Sequence, residues 1–152
     1  MNVRLAVEAD IPQLIALAKE SSSAAHWSEA QYKKVVSQAD ATNNGLALLA
    51  EEAIQTVGFV IARPIPGNEW EIENIVVAPV FQRSGIASQL LRELLLRAKA
   101  QNARRISLEV RASNVPAIGL YRKFGFVEAR RRRNYYVNPS EDAVILELQL
   151  SA

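Results

Sequence analysis

The segment with the clearest chemical potential lies at residues 82–87, where the sequence reads Gln-Arg-Ser-Gly-Ile-Ala between an apolar run and a leucine-rich helical pattern. A tight turn into a helix leaves backbone N–H groups unpaired at the positive end of the helix dipole, and such groups bind phosphates. The small residues Gly85 and Ala87 keep side chains away from such a ligand. The lysine of a nucleoside triphosphatase loop and two glycines of a dinucleotide fold are missing, so another phosphate-bearing cofactor is expected. An ordinary strand-to-helix turn explains these six residues equally well.

The two halves of the chain carry opposite charge. Residues 1–80 hold five Lys/Arg and ten Asp/Glu, a formal −5, and residues 81–152 hold thirteen and six, a formal +7. A basic half that contains the loop suits a polyanionic cofactor, and an acidic half suits a cationic substrate. For any single residue, a solvated surface charge is the simpler interpretation.

Composition narrows the class of protein. With 152 residues, 49% of them hydrophobic, the chain suits one domain over residues 1–152 with a substantial core. The sequence has no Cys and only His26, so disulfides, a cysteine acyl-enzyme and a His-rich metal site are not expected. Neither a signal peptide nor a membrane span is indicated, and we expect a cytoplasmic protein without a membrane partner.

Alternating patterns predict an α/β (α+β) domain. Four helices are expected, beginning at Asp10, at the capping box that starts with Ser28, at Gly85 and at Asn114. Seven strands are expected at residues 2–7, 46–51, 54–63, 69–77, 104–110, 126–136 and 143–150. Short turns make the second to fourth strands an antiparallel meander, with the preceding turn placed at Asn43, Asn44 and Gly45. The sheet is therefore mixed and mostly antiparallel.

A helical crossover in the middle of this order requires the strands on either side of it to run parallel. Ligands bind beyond the carboxyl ends of such strands, beside the helix N-terminus. Here that crevice lies between the ends of 69–77 and 104–110. Its walls are the loop, Glu109 and the helix at 114–124.

Two stretches carry a family resemblance. Residues 74–79 and 82–87 resemble the acetyl-coenzyme A motif of the GNAT superfamily of N-acetyltransferases, written Q/R-x-x-G-x-G/A, with Ala87 as the permitted small residue. More specific is Leu-Glu-Val-Arg-Ala-Ser-Asn at 108–114, which continues through Leu120-Tyr121 and Phe-Gly-Phe at 124–126 to Arg-Asn-Tyr-Tyr at 133–136. That run resembles the RimI branch, the bacterial enzymes that acetylate the N-terminal amine of a small-subunit ribosomal protein.

The resemblance implies acetyl-CoA as cosubstrate, held where the two parallel strands splay apart. The pyrophosphate would lie on the backbone of the loop, and the pantetheine arm would pair with the free edge of the strand before it. The cofactor-binding residues are then Ile75, Val76, Val77, Gln82, Arg83, Ser84, Gly85, Ile86, Ala87, Asn114 and Tyr121.

The resemblance also assigns the reaction. Glu109 is the general base that takes the proton of the attacking amine, and Tyr121 is the general acid that protonates the departing thiolate. The N–H of Val77 is the expected donor to the carbonyl oxygen as negative charge develops on it. Without a Cys, direct transfer in a ternary complex is expected.

Each assignment has a competing interpretation. Glu109 on a strand could serve only to pair with an arginine, and Tyr121 at helical spacing could be an ordinary core aromatic. Glu71 and Glu73 flank the same crevice and compete with Glu109 for the role of base. The sequence does not decide whether one of them shares it.

Substrate contacts are expected from Trp27, Glu73, Tyr135 and Tyr136, because relatives admit the peptide between the first interhelical loop and the last hairpin. Trp27 also fits a hydrophobic staple at a capped helix. Tyr135 and Tyr136 point to opposite faces if their strand is regular. Relatives carry Pro where this chain has His26.

The predicted function is therefore N-terminal acetylation, with the N-terminal alanine of a ribosomal protein as the expected partner. A lysine or small-amine acetyltransferase is the alternative, although a higher acceptor pKa would demand a stronger base. The arginines at 130–133 suggest a nonenzymatic RNA-binding module. On a strand these four alternate between faces and form no single basic stripe, so nucleic acid is not expected as the main ligand.

Overall fold

A computed structural model describes residues 1–21, 27–38 and 45–150. Its strands are β1 Asn2–Leu5, β2 Leu46–Glu52, β3 Gln55–Ile65, β4 Glu69–Val77, β5 Arg105–Arg111, β6 Val127–Tyr136 and β7 Glu141–Gln149. Its helices are α1 Ile11–Glu20, α2 Glu29–Gln38, α3 Ile86–Ala100 and α4 Val115–Lys123. The predicted order of elements is confirmed over these residues. The turn predicted at Asn43 and Asn44 lies outside the described residues, and so does His26.

The strands form one sheet in the order β1-β2-β3-β4-β5-β7-β6. Every pair is antiparallel except β4 and β5, which are parallel as the crossover requires. Their pairing starts at Glu69 with Arg105 and stops at Ile72 with Leu108. Beyond that point β4 continues to Val77 along β3 and β5 continues to Arg111 along β7, but β4 and β5 no longer pair with each other, so the sheet opens in its centre. This arrangement is the predicted mixed sheet with a splayed parallel pair.

Helices cover the sheet on both faces. One core packs α3 and α4 against the sheet through Leu90, Leu94 and Tyr121. The other packs α1 and α2 against β2 and β3, with Leu14 and Tyr32 among its largest buried side chains. On this face α1 and α2 pack against β2, β3 and β4, and no helix among the described residues is packed extensively on β5 or β7, so we call the part of the face at β5 and β7 the uncovered face.

A bulge in β4 was not predicted. Ile61 of β3 pairs with Asn74 and the next residue, Ala62, pairs with Ile72, so Glu73 is an extra residue in β4. An extra residue reverses the alternation of side chains beyond it. Ile72 therefore packs in the core of α3 and Val76 in the core of α1 and α2, although both occupy even positions of one strand.

Side-chain capping was predicted at the starts of α2 and α1, and only the cap of α2 forms its hydrogen bonds. The capping box of α2 forms as predicted: Gln31 N–H donates to Ser28 Oγ at 3.2 Å, and Ser28 N–H donates to Gln31 Oε1 at 2.8 Å. Asp10 is the N-cap residue of α1 as predicted, but its side chain makes no capping hydrogen bond. Its carboxylate instead accepts bonds from the Val7 N–H and from Arg4, and the Arg4 contact holds the pKa of Asp10 below its usual range.

Candidate active site

The opening between β4 and β5 is a cavity of about 1050 Å³. Its walls are formed by the N-terminus of α3, one side of α4, the strands β4 and β5, and the β6–β7 hairpin. All the predicted cofactor-binding residues line it except Ser84, and both predicted catalytic residues line it as well. Residues far apart in sequence, such as Gly85, Glu109 and Tyr121, therefore meet at one opening.

The loop before α3 presents its backbone to this cavity. Arg83 and Gly85 have left-handed backbones, with φ of 66° and 86°, and Ser84 donates its hydroxyl to the Phe81 carbonyl. The first backbone bond inside the helix is from Gln89 N–H to Gly85 O at 3.0 Å. The N–H groups of the preceding helical residues, 86–88, have no acceptor within the helix, and they lie at its positive end. A pyrophosphate fits this end of the cavity.

The edge of β4 also fits a cofactor with amide groups. From Glu73 to Val77 its β5 side has no strand partner in the described part of the chain. Ala78 N–H donates to Val57 O at 2.8 Å on the β3 side. Since successive N–H groups of an extended chain point in opposite directions, the Val77 N–H faces the cavity. A pantetheine arm is chemically suited to this edge, because its amides can pair with backbone N–H and C=O groups.

Gly58 of β3 lets α3 approach this edge. A Cβ built on Gly58 would stand 2.9 Å from the Val76 carbonyl oxygen and 3.2 Å from the side chain of Ile86. Only glycine therefore brings the first turn of α3 this close to β4.

Asn114 begins α4 and lines the cavity. Its side-chain oxygen accepts the Ala117 N–H at 3.3 Å, which caps the helix. The cap fixes where α4 starts and, through it, where Tyr121 stands. Contact between Asn114 and a cofactor remains a prediction.

The sequence left open whether Tyr121 is a core aromatic residue or faces the cavity. In the structure it packs in the core and also lines the cavity. It is 3% exposed, and its ring contacts Phe126 with a centroid separation of 5.5 Å. Burial raises the pKa of Tyr121 well above its usual range. The phenol therefore keeps its proton throughout the neutral range and can donate it, which suits a general acid.

Glu109 projects from β5 on the uncovered face of the sheet. Its carboxylate lies 3.4 Å from Arg132 Nε on β6, and its side chain is 30% exposed. Both interpretations of Glu109 thus hold in part, since it pairs with an arginine and also lines the cavity. A solvent-accessible carboxylate at this position can take a proton from an amine that enters along the uncovered face.

The competing carboxylates have different surroundings. Glu73 lines the cavity but is held by Arg63, at 2.6 Å. Glu71 is not among the lining residues, and its pKa is raised by burial first and then by Glu73 and Glu109. Glu109 is therefore the carboxylate whose position best suits contact with an incoming amine.

The strand β6 is not regular at Tyr135 and Tyr136, so the condition for their pointing to opposite faces is not met. Their rings contact each other, with centroids 5.2 Å apart. The pairing of β6 with β7 shifts between Arg132 and Tyr136, and Asn134 has a left-handed φ of 52°. This irregularity removes the alternation on which the prediction depended.

The two tyrosines consequently have different surroundings. Tyr136 lines the cavity with the Arg111 guanidinium 4.1 Å from its ring centroid, and Arg111 also lies 3.6 Å from Glu141. Tyr135 is 48% exposed and outside the lining. The sequence assigned no role to Arg111 or Glu141, although Arg111 lies inside the motif at 108–114.

Trp27 occupies the position of a hydrophobic staple. It directly precedes the cap residue Ser28, and its ring contacts Tyr32 at a centroid separation of 5.5 Å. It does not line the cavity. Its contact with a substrate remains a prediction.

The arginines of β6 do not form one surface. Arg131 bonds Glu128 at 3.1 Å, and Arg132 pairs with Glu109. Arg131 lies opposite the core residue Val144, and Arg132 lies opposite Ala143 on the other face. This alternation is the one expected from the sequence.

Within the described ranges, no helix is long and apolar enough to cross a membrane. The same ranges contain no group of three or more His, Asp or Glu side chains that could hold a metal ion.

Comparison with known proteins gives consistent matches. The model of the acetyltransferase (GNAT) family matches residues 11–126. A curated relative, the ribosomal protein bS18-alanine N-acetyltransferase of Escherichia coli, is 43% identical over 86 residues. That alignment covers 55% of this chain and 58% of the relative, so the chain spans little more than half of the relative's length in the match.

Solved structures extend the likeness to nearly the full chain. The ribosomal-protein-S18-alanine N-acetyltransferase of Escherichia coli superposes with a TM-score of 0.86 at 29% identity, covering 99% of this chain and 94% of that one. An acetyltransferase-like protein from Salmonella typhimurium, solved with its cofactor acetyl-CoA, superposes with a TM-score of 0.87. That second match has 17% identity, covers 100% of this chain and 95% of the other, and shows the fold alone.

Proposed function

This chain belongs to the acetyltransferase (GNAT) family, and on that premise we propose that it transfers the acetyl group of acetyl-CoA to the α-amine of a protein N-terminus. The observation that carries the proposal is the opening between β4 and β5. There the N-terminus of α3, Glu109 and Tyr121 line one cavity. We further propose that residues 1–152 act as one catalytic domain in the cytoplasm.

The proposed acceptor is the N-terminal alanine of a small-subunit ribosomal protein. Support comes from the Escherichia coli relative, which is named for the alanine of ribosomal protein bS18. The uncovered face beside Glu109 gives a flexible chain end direct access to the cavity.

Glu109 carries the first proton transfer in this proposal. An α-amine has a pKa of about 8, so at neutral pH it is mostly protonated and a nearby carboxylate can complete its deprotonation. The acceptor amine enters along the uncovered face, where Glu109 is 30% exposed. Arg132, at 3.4 Å, orients the carboxylate without burying it.

The cavity wall supplies the remaining groups. When bound, acetyl-CoA supplies a thioester as the activated acetyl donor. The Val77 N–H donates to the carbonyl oxygen as negative charge develops on it, and Tyr121 donates its proton to the leaving sulfur. The first turn of α3 and the loop from Gln82 hold the pyrophosphate through their backbone. Direct transfer follows, because the chain has no Cys to carry the acetyl group.

The proposal is tested by acetyl-CoA-dependent initial rates on a panel of peptides. Each peptide carries one free amine: an N-terminal alanine, serine or methionine, or an internal lysine behind a blocked N-terminus. We expect the free N-terminal alanine to react at least about tenfold faster than the lysine, because a lysine of pKa about 10.4 is far less deprotonated at pH 7.5. Mass spectrometry of the products places the acetyl group.

Matched controls use the same peptides with acetylated N-termini, which remove the α-amine and nothing else. If transfer were confined to lysine, or to a small polyamine included as an extra acceptor, the proposal of an N-terminal α-amine as acceptor would be wrong. Salt-sensitive RNA binding with no affinity for CoA would favour a binding module instead.

A further inference from the structure

The sheet ends at β6, which has a free edge. Among the residues that the structure describes, β6 pairs with β7 alone, so its other side has no strand partner. The side chains at residues 127–135 of this strand are all exposed. In an extended strand, every second residue turns its N–H and C=O to the same side. Backbone donors and acceptors along β6 are therefore open to another chain.

This edge carries a run of positive charge. Residues 130–133 are four arginines, and Glu128 is the one acidic residue of the strand, so β6 has a formal charge of +3. Because all four side chains are exposed, core packing does not explain them. Neighbouring like charges repel each other, which costs the fold some stability.

Half of these arginines have no acidic partner. Arg131 and Arg132 are each paired with a carboxylate of this chain, at 3.1 Å and 3.4 Å. Arg130 and Arg133 make neither an ion pair nor a side-chain hydrogen bond within the described ranges. Two positive charges beside the free backbone edge are thus available to a ligand.

The sign of the charge decides what can pair with this edge. A second copy of β6 paired over the run would bring arginines opposite arginines, and like charges directly across a ladder are destabilising. Charged side chains on an edge strand prevent such pairing between copies. The same charges attract an extended segment of opposite sign.

The distribution of the arginines favours a peptide over a nucleic acid. Arg130 and Arg132 point to the face of the sheet that carries Glu109, whereas Arg131 points to the face covered by α3 and α4. A phosphate backbone that lies on either face would therefore meet only part of the run. The side chains of an added strand alternate between the faces in step with β6, so consecutive acidic residues each lie beside one arginine.

We propose that the free edge of β6 binds an extended acidic segment of a partner protein, which adds to the seven-stranded sheet as a further strand. Backbone hydrogen bonds hold the segment, and its carboxylates pair with the arginines, above all with Arg130 and Arg133. Tyr136 is the one residue of β6 that lines the cavity, so this surface lies outside the candidate active site. The proposal does not depend on the acetyl-transfer reaction.

Fluorescence anisotropy with a defined peptide tests the proposal on the full chain. The probe is a blocked, labelled peptide in which four consecutive glutamates are flanked by valine and threonine, so that it matches the arginine run in length and opposes it in sign. We expect it to bind, and to bind more weakly at about 1 M salt than at about 0.1 M, because exposed ion pairs are screened. A matched peptide with N-methylated glutamates keeps the four charges but lacks their N–H donors. Its Kd is expected to be at least about tenfold higher, since strand pairing is lost.

A double variant, Arg130→Gln with Arg133→Gln, tests the two uncommitted arginines and leaves the ion pair of Arg132 in place. Its Kd for the probe is expected to rise about tenfold, since two exposed ion pairs are lost. Tm is expected to be unchanged or slightly higher, because like-charge repulsion falls. The matched control is Lys34→Gln with Lys99→Gln, which removes the same charge from exposed positions of α2 and α3. Its Kd is expected to stay within about twofold of the unmodified protein.

Hydrogen exchange gives a structural readout, since outward-facing N–H groups of β6 are expected to gain protection when the probe binds. Four results would overturn the proposal. Equal binding of the N-methylated peptide would show attraction by charge without strand addition. Tighter binding of an oligouridylate of equal charge would make the edge a nucleic-acid surface. Self-association that the double variant changes would make it an interface between copies, and no binding of the probe would remove the docking site.

Discussion

Replacing Glu109 with glutamine is expected to lower kcat/KM for an N-terminal peptide by about 10²–10³-fold, the lower part of the usual range for a positioned general base. The amide keeps the size of the side chain but cannot accept the proton of the attacking amine. Kd for acetyl-CoA is expected to be unchanged, because Glu109 faces the acceptor side. Steady-state rates and calorimetric binding measure the two quantities separately.

The pH dependence gives this prediction a second readout. The loss in Glu109→Gln is expected to shrink above pH about 8, because there the α-amine deprotonates without help. Arg132→Gln is the matched control, since it removes the same ion pair and leaves the carboxylate in place. Its rate is expected to stay within a few-fold of the unmodified enzyme, about the range for an exposed pair.

The variant Glu71→Gln tests whether Glu71, rather than Glu109, acts as the general base. Glu71 does not line the cavity, so its variant is expected to keep most of the activity. Near-normal turnover of folded Glu109→Gln together with a collapse in Glu71→Gln would transfer the role of base to Glu71.

Replacing Tyr121 with phenylalanine is expected to lower kcat by about 10–10²-fold, near the lower end for a positioned acid because water can partly replace it. The ring remains packed on Phe126, so the fold is retained. Because burial holds the pKa of Tyr121 above its usual range, the phenol stays protonated in the neutral range. Any basic limb of the pH–rate profile below pH 9 therefore belongs to another group, and kcat measured across pH tests this.

Tyr32→Phe is the matched control for that variant. Tyr32 is also buried, at 1% exposure, but it lies in the core of α1 and α2 and does not line the cavity. Its hydroxyl has no hydrogen-bond partner among the residues that the structure describes, so removing it should leave stability and turnover nearly unchanged. Equal effects of the two substitutions would mean that Tyr121 contributes only to packing.

The sequence predicted the elements well where the cause is local. Hydrophobic periodicity gave the four helices and seven strands to within a few residues, and the Ser28 capping box formed as its residue types require. The parallel pair followed from chain topology alone, because a strand-helix-strand crossover leaves no other direction. The site motif was recognisable because the residues predicted to bind phosphate lie next to one another in sequence.

Features that depend on pairing between strands were missed. The bulge at Glu73 changes which core each later side chain enters, although the burial of side chains along β4 alternates without interruption. The contact between Tyr135 and Tyr136 depends on a register shift against β7. The side-chain partner of Asp10 was missed because Arg4 lies on β1, outside the helix whose start Asp10 marks.

The sequence also could not show which of the three carboxylates is best placed to act as the general base. Glu71, Glu73 and Glu109 all lie on strands beside the crevice, and only the geometry separates them. Arg63 holds Glu73, Glu71 lies off the cavity, and Glu109 lines it. Those differences come from where β4 and β5 part.

The most direct test of the account is a crystal structure with a bisubstrate ligand, in which coenzyme A is joined through an acetyl linker to the α-nitrogen of an alanine peptide. We expect the pyrophosphate to lie at the first turn of α3 and the sulfur to lie beside the Tyr121 hydroxyl. We expect the peptide nitrogen to face Glu109 and the rest of the peptide to leave along the uncovered face of the sheet. A ligand bound outside the opening between β4 and β5, or a linker nitrogen remote from Glu109, would contradict it.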